Sequence, residues 1–479
     1  MDVLSKVFKA YDIRGVVPDE LDADLVRRVG AAFATFARER EGDVHRILVG
    51  RDMRPSGGEL HQAFVDGVTS TGVDAVDLGL ISTDMLFFAS GRLDAPGATL
   101  TASHNPPRYN GIKLCLSQAR PVGVDTGLLR IKELVSTGEV LSSERRGSVE
   151  TIDLLPDFAA HVRSFVDPHV LRPLKVVADA ANGMAGLVVP AVFEGLPFEL
   201  DLLYGELDGT FPNHPADPIQ PENLADLRAR VLETGADVGL AFDGDADRVF
   251  LVDERARPIS GSTTTAIVAA AVLEKEPGAV ILHNLICSKV VPETIRALGG
   301  RPVRTKVGHS FIKAVMAETG AAFGGEHSGH YYFRDNYRAD SGLIASLMVL
   351  ERMCREEKPL SEIADRYSKY AASGEINFEV PDPEAVIGAV SERFEGCEQD
   401  RLDGLTVDCG EWWFNLRPSN TEPLLRLNLE APDADRCAEL VGTVTDVIRE
   451  AASGVTRSGG VAAGTDGHPR VNRGEEKQS

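Results

Sequence analysis

Three times along the chain a short apolar run stops at a polar turn and gives way to a helical stripe. Leu25, Val29, Ala32, Phe33 and Phe36 recur at helical spacing after Asp22, which is placed to cap the first turn. Arg46-Ile47-Leu48-Val49-Gly50 reads as a buried strand ending at Arg51-Asp52, Leu60, Phe64 and Val68 as a second helix face, and residues 73–77 as an alternating strand. The pattern restarts near Pro173, where a strand over 175–179 runs into Ala180-Ala181-Asn182-Gly183. A helix over 222–233 then stops at Gly235, and a strand follows over 238–242. A third unit begins near Pro258, with a helix over 263–274 and a strand over 279–282. Strands alternating with helices build α/β layers. From Ser373 the pattern becomes a strand over 376–380, a helix over 383–394, paired strands over 412–416 and 424–429, and a closing helix over 433–451. The expected fold is α/β: three similar mixed α/β domains over residues 1–150, 151–256 and 257–372, a smaller α+β domain over 373–453, and a disordered tail over 454–479.

The net charge of −23 argues against a nucleic-acid binder that works by neutralising phosphates. It also demands that any phosphorylated ligand be drawn in by a local basic cluster against the average field. No apolar run approaches a bilayer span, and the N-terminus lacks the basic-then-apolar pattern of a signal peptide. The six cysteines are scattered without a CxxC pair. Together these features predict a cytoplasmic chain without a membrane partner, its thiols reduced and buried rather than disulfide-bonded or holding zinc.

The first of four informative turns is Thr101-Ala102-Ser103-His104-Asn105-Pro106-Pro107-Arg108-Tyr109-Asn110-Gly111-Ile112-Lys113, delivered by the apolar Ala98-Thr99-Leu100. Two successive prolines fix φ and remove two donors, and Gly111 is expected to supply a turn that other residues resist. A serine held beside His, Asn, Arg and Lys is a candidate nucleophile for a phosphoryl or acyl group. The second turn, Asp243-Gly244-Asp245-Ala246-Asp247-Arg248, sets three carboxylates at alternate positions between two apolar strands. They repel one another unless a hard cation sits among them, and Mg2+ fits best because it takes few protein carboxylates together with a phosphate oxygen. An EF-hand is rejected, since Arg248 stands where that loop needs a glycine and strands rather than helices flank it. A hydrolase motif with Asp243 as nucleophile is weakened by Asp247, where it needs Thr or Val.

The third turn, Gly324-Gly325-Glu326-His327-Ser328-Gly329-His330, follows Lys306-Val307-Gly308-His309-Ser310. Glu326 and Ser328 suit sugar hydroxyls, and His309 and His330 can carry protons near neutrality. The fourth, Arg417-Pro418-Ser419-Asn420-Thr421-Glu422-Pro423, gathers a guanidinium, two hydroxyls and an amide into an anion cradle.

In this order TASHNPP, DGDADR, GEHSGH and RPSNTEP, with Tyr11-Asp12-Ile13-Arg14-Gly15 ahead of them, resemble the α-D-phosphohexomutase family up to about residue 452. Among its members the motifs look most like bacterial phosphomannomutase/phosphoglucomutase, because His327 and Asn420 depart from the GEQSGH and RPSGTEP of phosphoglucosamine mutases. The resemblance implies four domains around a central cleft. It implies that Ser103 carries the phosphoryl group, that Asp243, Asp245 and Asp247 hold Mg2+ together with Ser103, and that Arg14, Lys113 and Arg248 surround the transferring group. Tyr11, Lys306, Glu326 and Ser328 would contact the substrate, and Arg417, Ser419, Asn420 and Thr421 would grip the phosphate that is not reacting. His309, His330 and Lys113 are the proton-transfer candidates.

The implied reaction moves a phosphoryl group reversibly between the 1- and 6-positions of mannose or glucose phosphate, through a phosphoserine and a hexose 1,6-bisphosphate that is both intermediate and activator. The implied partners are small hexose phosphates, and the implied state is a monomer or weak homodimer. The alternatives are a phosphoglucosamine mutase, a metal-dependent sugar phosphatase and a non-catalytic sugar-phosphate sensor. One departure stands out. Dual-specificity members often carry a lysine where this chain has Asn-Leu-Ile-Cys-Ser over 284–288, and here the nearest is Lys289.

Overall fold

Asp22 accepts a hydrogen bond from the Leu25 N–H and starts the helix Ala23–Glu41. This helix packs closely on Gly57–Ser70; a Cβ on Gly67 would sit 2.0 Å from the Arg27 carbonyl oxygen, so only glycine permits the approach. The pair covers one face of a sheet ordered Ile13–Val16, Tyr109–Leu116, Gly97–Leu100, Arg46–Arg51, Asp74–Leu80 and Val149–Thr151. All but Tyr109–Leu116 run in one direction. The computed structural model describes residues 3–418 and 424–458, without the side chains of residues 309, 310 and 455–458. No described helix is long and apolar enough to cross a membrane.

Side chains of the first sheet alternate between two cores. Ile47, Val49, Ala98 and Leu100 face the helix pair, whereas Leu48, Val76 and Cys115 join a second apolar interior. That interior continues through Val176, Leu240 and Leu251 of a second sheet into Ile281 and Phe323 of a third. The second sheet is ordered Pro258–Ile259, Val249–Asp253, Val238–Phe242, Lys175–Asp179, Glu199–Leu203, and the third Arg301–Thr305, Val280–Asn284, Phe323–Gly325, Tyr331–Phe333. One apolar interior therefore serves three sheets, and Met1–Ala371 forms a single compact unit. In each sheet a strand with a parallel neighbour ends at an informative turn: Gly97–Leu100 before Ser103, Val238–Phe242 before Asp243, Phe323–Gly325 before Glu326. Ligands of parallel sheets bind beyond such carboxyl ends.

The second compact unit begins at Ala372. Its sheet runs Ala371–Glu379, Leu424–Ala431, Trp413–Pro418, Leu405–Asp408, Glu398–Asp400, and its helices Pro383–Arg393 and Ala434–Ser458 pack on each other.

Several expectations need correction. The helix expected from 222 begins as a 3-10 turn, Pro221–Leu224, and becomes α-helical only over Ala225–Thr234. The closing helix runs on to Ser458, into the expected tail, and residues 459–479 lie outside the described residues. Gly111 makes no turn. It lies inside Tyr109–Leu116, where a Cβ would meet the Ile13 carbonyl oxygen at 2.5 Å and that of Thr101 at 2.8 Å. The cysteines are not all reduced: Cys115, Cys287, Cys354 and Cys437 are free and buried, but Cys397 and Cys409 form a disulfide. The register explains it, because Glu398 pairs with Asp408 and the residues just beyond them face each other.

A disulfide across a 12-residue separation removes about 3 kcal/mol of unfolded-chain entropy. Replacing both cysteines, Cys397→Ser with Cys409→Ser, is expected to destabilise the C-terminal unit by about that amount. Both tryptophans, Trp412 and Trp413, lie in this unit, so urea unfolding followed by their fluorescence reads it selectively. An unchanged midpoint would show that the hairpin closes equally well without the bond.

Candidate active site

Ser103 adopts the left-handed backbone conformation, φ 50°, at a cost of about 1–3 kcal/mol for a non-glycine residue. Its N–H donates to Thr101 Oγ1 at 3.0 Å. The turn is held chiefly by Arg54, which follows the strand Arg46–Arg51 and is 1% exposed. Its Nη2 donates to the carbonyls of Ser103 and Asn105, both at 2.7 Å, and its Nη1 to those of Pro106 and Tyr109, both at 2.9 Å. Its Nε pairs with buried Asp52 at 3.1 Å, and the Phe211 ring lies 5.3 Å from the guanidinium. Sequence reading missed Arg54. The signal was present in Arg51-Asp52-Met53-Arg54, charged residues directly after a buried strand, the pattern of the other polar turns.

Ser103 Oγ donates to Asp243 Oδ2 at 2.8 Å, joining the first sheet's turn to the second's. Arg248 Nε reaches the same oxygen at 2.9 Å, and the Arg248 N–H donates to Asp243 Oδ1 at 3.1 Å. Both Asp243 oxygens are thus taken by donors, which disfavours it as a nucleophile. Lys113 Nζ donates to Asp245 Oδ2 and Asp247 Oδ2, each at 2.7 Å, and Thr83 Oγ1 to Asp245 Oδ2 at 2.5 Å. All three carboxylates are buried. Burial pushes Asp243 up to about 7, against the pull of Arg248. Burial works the same way on Asp245, but the Lys113 charge outweighs it and holds that carboxyl well below the usual range. For Lys113 burial opposes the charge, yet Asp245 and Asp247 win and keep it firmly protonated.

Asp245 Oδ1 and Asp247 Oδ1 are buried without a hydrogen-bond partner, and ligand atoms of the three carboxylates lie within 4.8 Å of one another. Oxygens left bare on clustered anions are what a hard divalent cation takes, so these residues fit a metal ion. His104 Nδ1 accepts from Arg248 Nη2 at 2.7 Å and lies 3.2 Å from Ser103 Oγ; burial and the neighbouring Arg248 and Arg14 keep its ring neutral. Arg14 pairs with Asp12 and donates to the Asn105 side chain, beside the serine turn.

Glu326 is 2% exposed and accepts from Tyr332 Oη at 2.6 Å, Asn284 Nδ2 at 3.1 Å and the Gly308 N–H at 3.3 Å. The segment that lacks a lysine therefore meets this carboxylate through Asn284. His330 Nδ1 lies 2.7 Å from Asp340 Oδ2 and 3.9 Å from Asp247 Oδ1. Burial opposes its protonation, but these two carboxylates prevail and raise its pKa. Behind Asp340 stands Lys313, 2% exposed, 3.5 Å from Asp340 Oδ1 and 3.5 Å from the centroid of Phe87. Neither Asp340 nor Lys313 was legible as a partner, since only the fold brings them to His330.

Tyr11 Oη donates to the Val307 carbonyl at 3.3 Å, linking the first sheet's domain to the loop of Lys306, whose Nζ lies 5.5 Å from the Phe311 ring. Ser328 is half-buried beside Glu326. His309 opens the helix His309–Thr319, with its side chain outside the description. In the C-terminal unit, Arg417 is buried and donates to Glu375 Oε2 at 3.0 Å; Ser419, Asn420 and Thr421 lie outside the described residues.

Family models match almost the whole chain: phosphoglucomutase/phosphomannomutase alpha/beta/alpha domain I over residues 5–140, domain II over 156–257, domain III over 260–370, and the C-terminal domain over 375–447. The chain is 41% identical to phosphohexose mutases of Xanthomonas campestris pv. campestris and 40% identical to the phosphomannomutase of Salmonella typhimurium. Each comparison covers 88% of this chain and 94% of the relative. A crystal structure of a phosphoglucomutase/phosphomannomutase family protein from Burkholderia thailandensis superposes with a TM-score of 0.86 at 33% identity, over 95% of this chain and 98% of the other. The chain belongs to the phosphoglucomutase/phosphomannomutase family and is an enzyme of the isomerase class, a phosphosugar mutase.

Proposed function

We propose that the enzyme interconverts the 1- and 6-phosphates of mannose, of glucose or of both, through a phosphoserine at Ser103 and a hexose 1,6-bisphosphate intermediate. The observation that carries this reading is Ser103 Oγ, 2.8 Å from Asp243 Oδ2, on a left-handed turn flanked by the cations Arg248 and Lys113. Relatives named phosphomannomutase, at 40% identity, favour mannose phosphate as a substrate. The occupied oxygens of Asp243 weigh against the phosphatase alternative.

Charge explains the set of residues. A dianionic phosphoserine beside three carboxylates amounts to about −5. When bound by Asp243, Asp245 and Asp247, Mg2+ supplies two positive charges and polarises the phosphoryl oxygens. Lys113, Arg248 and Arg14 supply three more, which brings the site to roughly neutral. A sugar hydroxyl then attacks phosphorus, the bond from phosphorus to Ser103 Oγ breaks, the hydroxyl proton passes to a base, and the departing Ser103 Oγ takes up a proton to become a hydroxyl again. His330 suits that role, because its Nδ1 is held by Asp340 and leaves Nε2 for substrate. The bisphosphate reverses its orientation and returns its other phosphoryl group to Ser103. Tyr11, Lys306, Glu326 and Ser328 hold the sugar, and Arg417, Ser419, Asn420 and Thr421 hold the phosphate at rest. Transfer of this kind depends almost entirely on positioning and charge.

Ser103→Ala is expected to lower kcat on mannose 1-phosphate and glucose 1-phosphate by more than about 10⁴-fold. Phosphopeptide mass spectrometry of the wild type should place the phosphate on Ser103. A hydroxylamine-labile phosphoenzyme that releases inorganic phosphate would move the chemistry to Asp243. Chelation with EDTA is expected to abolish turnover and added Mg2+ to restore it; activity that survives exhaustive chelation would remove the metal from the reading. Comparing kcat/KM for the two substrates with glucosamine 1-phosphate tests the sugar, and a preference for the amino sugar would overturn the reading of His327 and Asn420.

A further inference from the structure

The polar strand end Ala180-Ala181-Asn182-Gly183 has no part in the reaction set out above. It holds down residues 204–217, the stretch between the strand Glu199–Leu203 and the 3-10 turn Pro221–Leu224. The Asn182 N–H donates to the Tyr204 carbonyl at 2.9 Å and its Nδ2 to that of Glu206 at 2.9 Å. Its own carbonyl accepts from the Asp208 N–H at 3.0 Å and its Oδ1 from Asn213 Nδ2 at 2.7 Å. Ala181, Asn182, Tyr204 and Phe211 are all left-handed, with φ between 47° and 58°, a conformation that such residues adopt only under restraint. The stretch lies on residues 53 and 54: a Cβ on Gly209 would sit 2.5 Å from Arg54 Cα and 2.8 Å from the Met53 carbonyl oxygen. Phe211 covers the Arg54 guanidinium at 5.3 Å, the group that holds four carbonyls of the Ser103 turn. His214 fastens the far end. Its Nε2 lies 3.0 Å from Asp179 Oδ2 and its Nδ1 2.9 Å from the Pro215 carbonyl oxygen. An ionised carboxylate and a carbonyl only accept, so both ring nitrogens donate and the ring is an imidazolium.

We propose that His214 is a positioning residue for the Ser103 turn: its cationic ring latches residues 204–217 over Arg54, and loss of its proton releases them. The proposal rests on the reading of Ser103 given above and adds a distant control on it. A neutral ring has one N–H, so deprotonation breaks the bond to Pro215 or the bond to Asp179, and it leaves Asp179, 2% exposed, without this counter-charge. Once the stretch lifts, water competes with the protein carbonyls for the Arg54 N–H groups. Asp179 faces the ring from the end of Lys175–Asp179 and Asp226 from Ala225–Thr234. Tyr204 stands edge-on at 5.5 Å, its hydroxyl donating to Asp226 at 2.8 Å. Burial opposes the charge, but Asp179, the Pro215 carbonyl and Asp226 prevail and raise the pKa above the ordinary 6.5. The closed latch thus holds the proton more tightly than the open one. It is fully stabilising below pH 6.5 and fails as pH rises through the raised value.

The test is kcat of the full-length enzyme on mannose 1-phosphate over about pH 6–10, with amide hydrogen exchange of residues 101–109 corrected for the intrinsic effect of pH. Wild-type kcat is expected to fall at the alkaline end with KM within about threefold, and protection of the turn to fall with it. His214→Gln keeps a donor toward Asp179 but cannot be charged. It should lower kcat about tenfold at neutral pH, with KM within about threefold, and remove the alkaline fall. His214→Arg, charged throughout, should recover part of kcat and hold it to higher pH. Phe211→Leu, which leaves the latch but uncovers Arg54, should lower kcat and turn protection at neutral pH; wild-type values of both would overturn the proposal. So would an alkaline limb absent from the wild type or unchanged in His214→Gln. A lower thermal midpoint in His214→Gln, with kcat, its pH profile and turn protection unmoved, would mark a merely structural role and refute it too. If the wild type isomerises no hexose phosphate, the mutase reading fails by itself and exchange decides the latch. Protection of residues 101–109 that falls with pH in the wild type but is low at every pH in His214→Gln supports it, and equal protection in the two proteins refutes it.

Discussion

Like charge in a dry place is the constraint on which the first compact unit depends. Asp243, Asp245 and Asp247 sit on one short turn and are all buried, which no fold tolerates without cations arriving from elsewhere. Lys113 comes from the first sheet and Arg248 from the turn itself, while His330 and Asp340 approach from the third sheet's side. The same junction is tied by neutral bonds: the Thr83 N–H donates to the Asp245 carbonyl at 3.0 Å, and Ser341 Oγ to Asp84 Oδ2 at 2.8 Å. Three domains meet here because none can neutralise its own charges alone.

A second constraint operates on the serine turn. A left-handed Ser103 is unfavourable by itself and persists only where its surroundings over-determine it. Four carbonyls held by a single buried guanidinium do that, and Asp52 is the counter-charge that lets the guanidinium stay dry. Rigidity therefore comes from a residue far upstream in sequence as well as from the adjacent prolines. The geometry of Ser103 and the stability of the first sheet's polar edge depend on the same side chain.

How much of this could be read from the chain follows from the range of each interaction. Asp22 as a cap, the strand before Ser103 and the helix stop at Gly235 are local, set by spacing and by backbone chemistry. The turns of Ser103, Asp243 and Glu326 were also visible, because clustered polar residues after an apolar strand are improbable unless something uses them. Lys313, Asp340 and Glu375 carry no such local mark, since each acquires its meaning from a partner that only the fold supplies. Gly111 was misread because a glycine needed for close packing looks, in sequence, like one needed for a turn. The disulfide was missed because a separation of 12 residues becomes adjacency only through hairpin register.

The apolar interior common to three sheets governs how such a chain can be made and how it can evolve. As it leaves the ribosome, the first sheet buries one face under its helix pair, but Leu48, Val76, Phe87 and Phe88 on the other side must wait for Phe158 and Val162, and then for Ile344 and Leu347. A nascent first domain is accordingly sticky, a fit client for holdase chaperones until the chain through Leu347 has emerged. The same dependence forbids treating the three α/β units as interchangeable beads. Excising or swapping any one would strip neighbours of their covering, so in a lineage built this way innovation falls to the loops at the strand ends, while the scaffold is inherited whole.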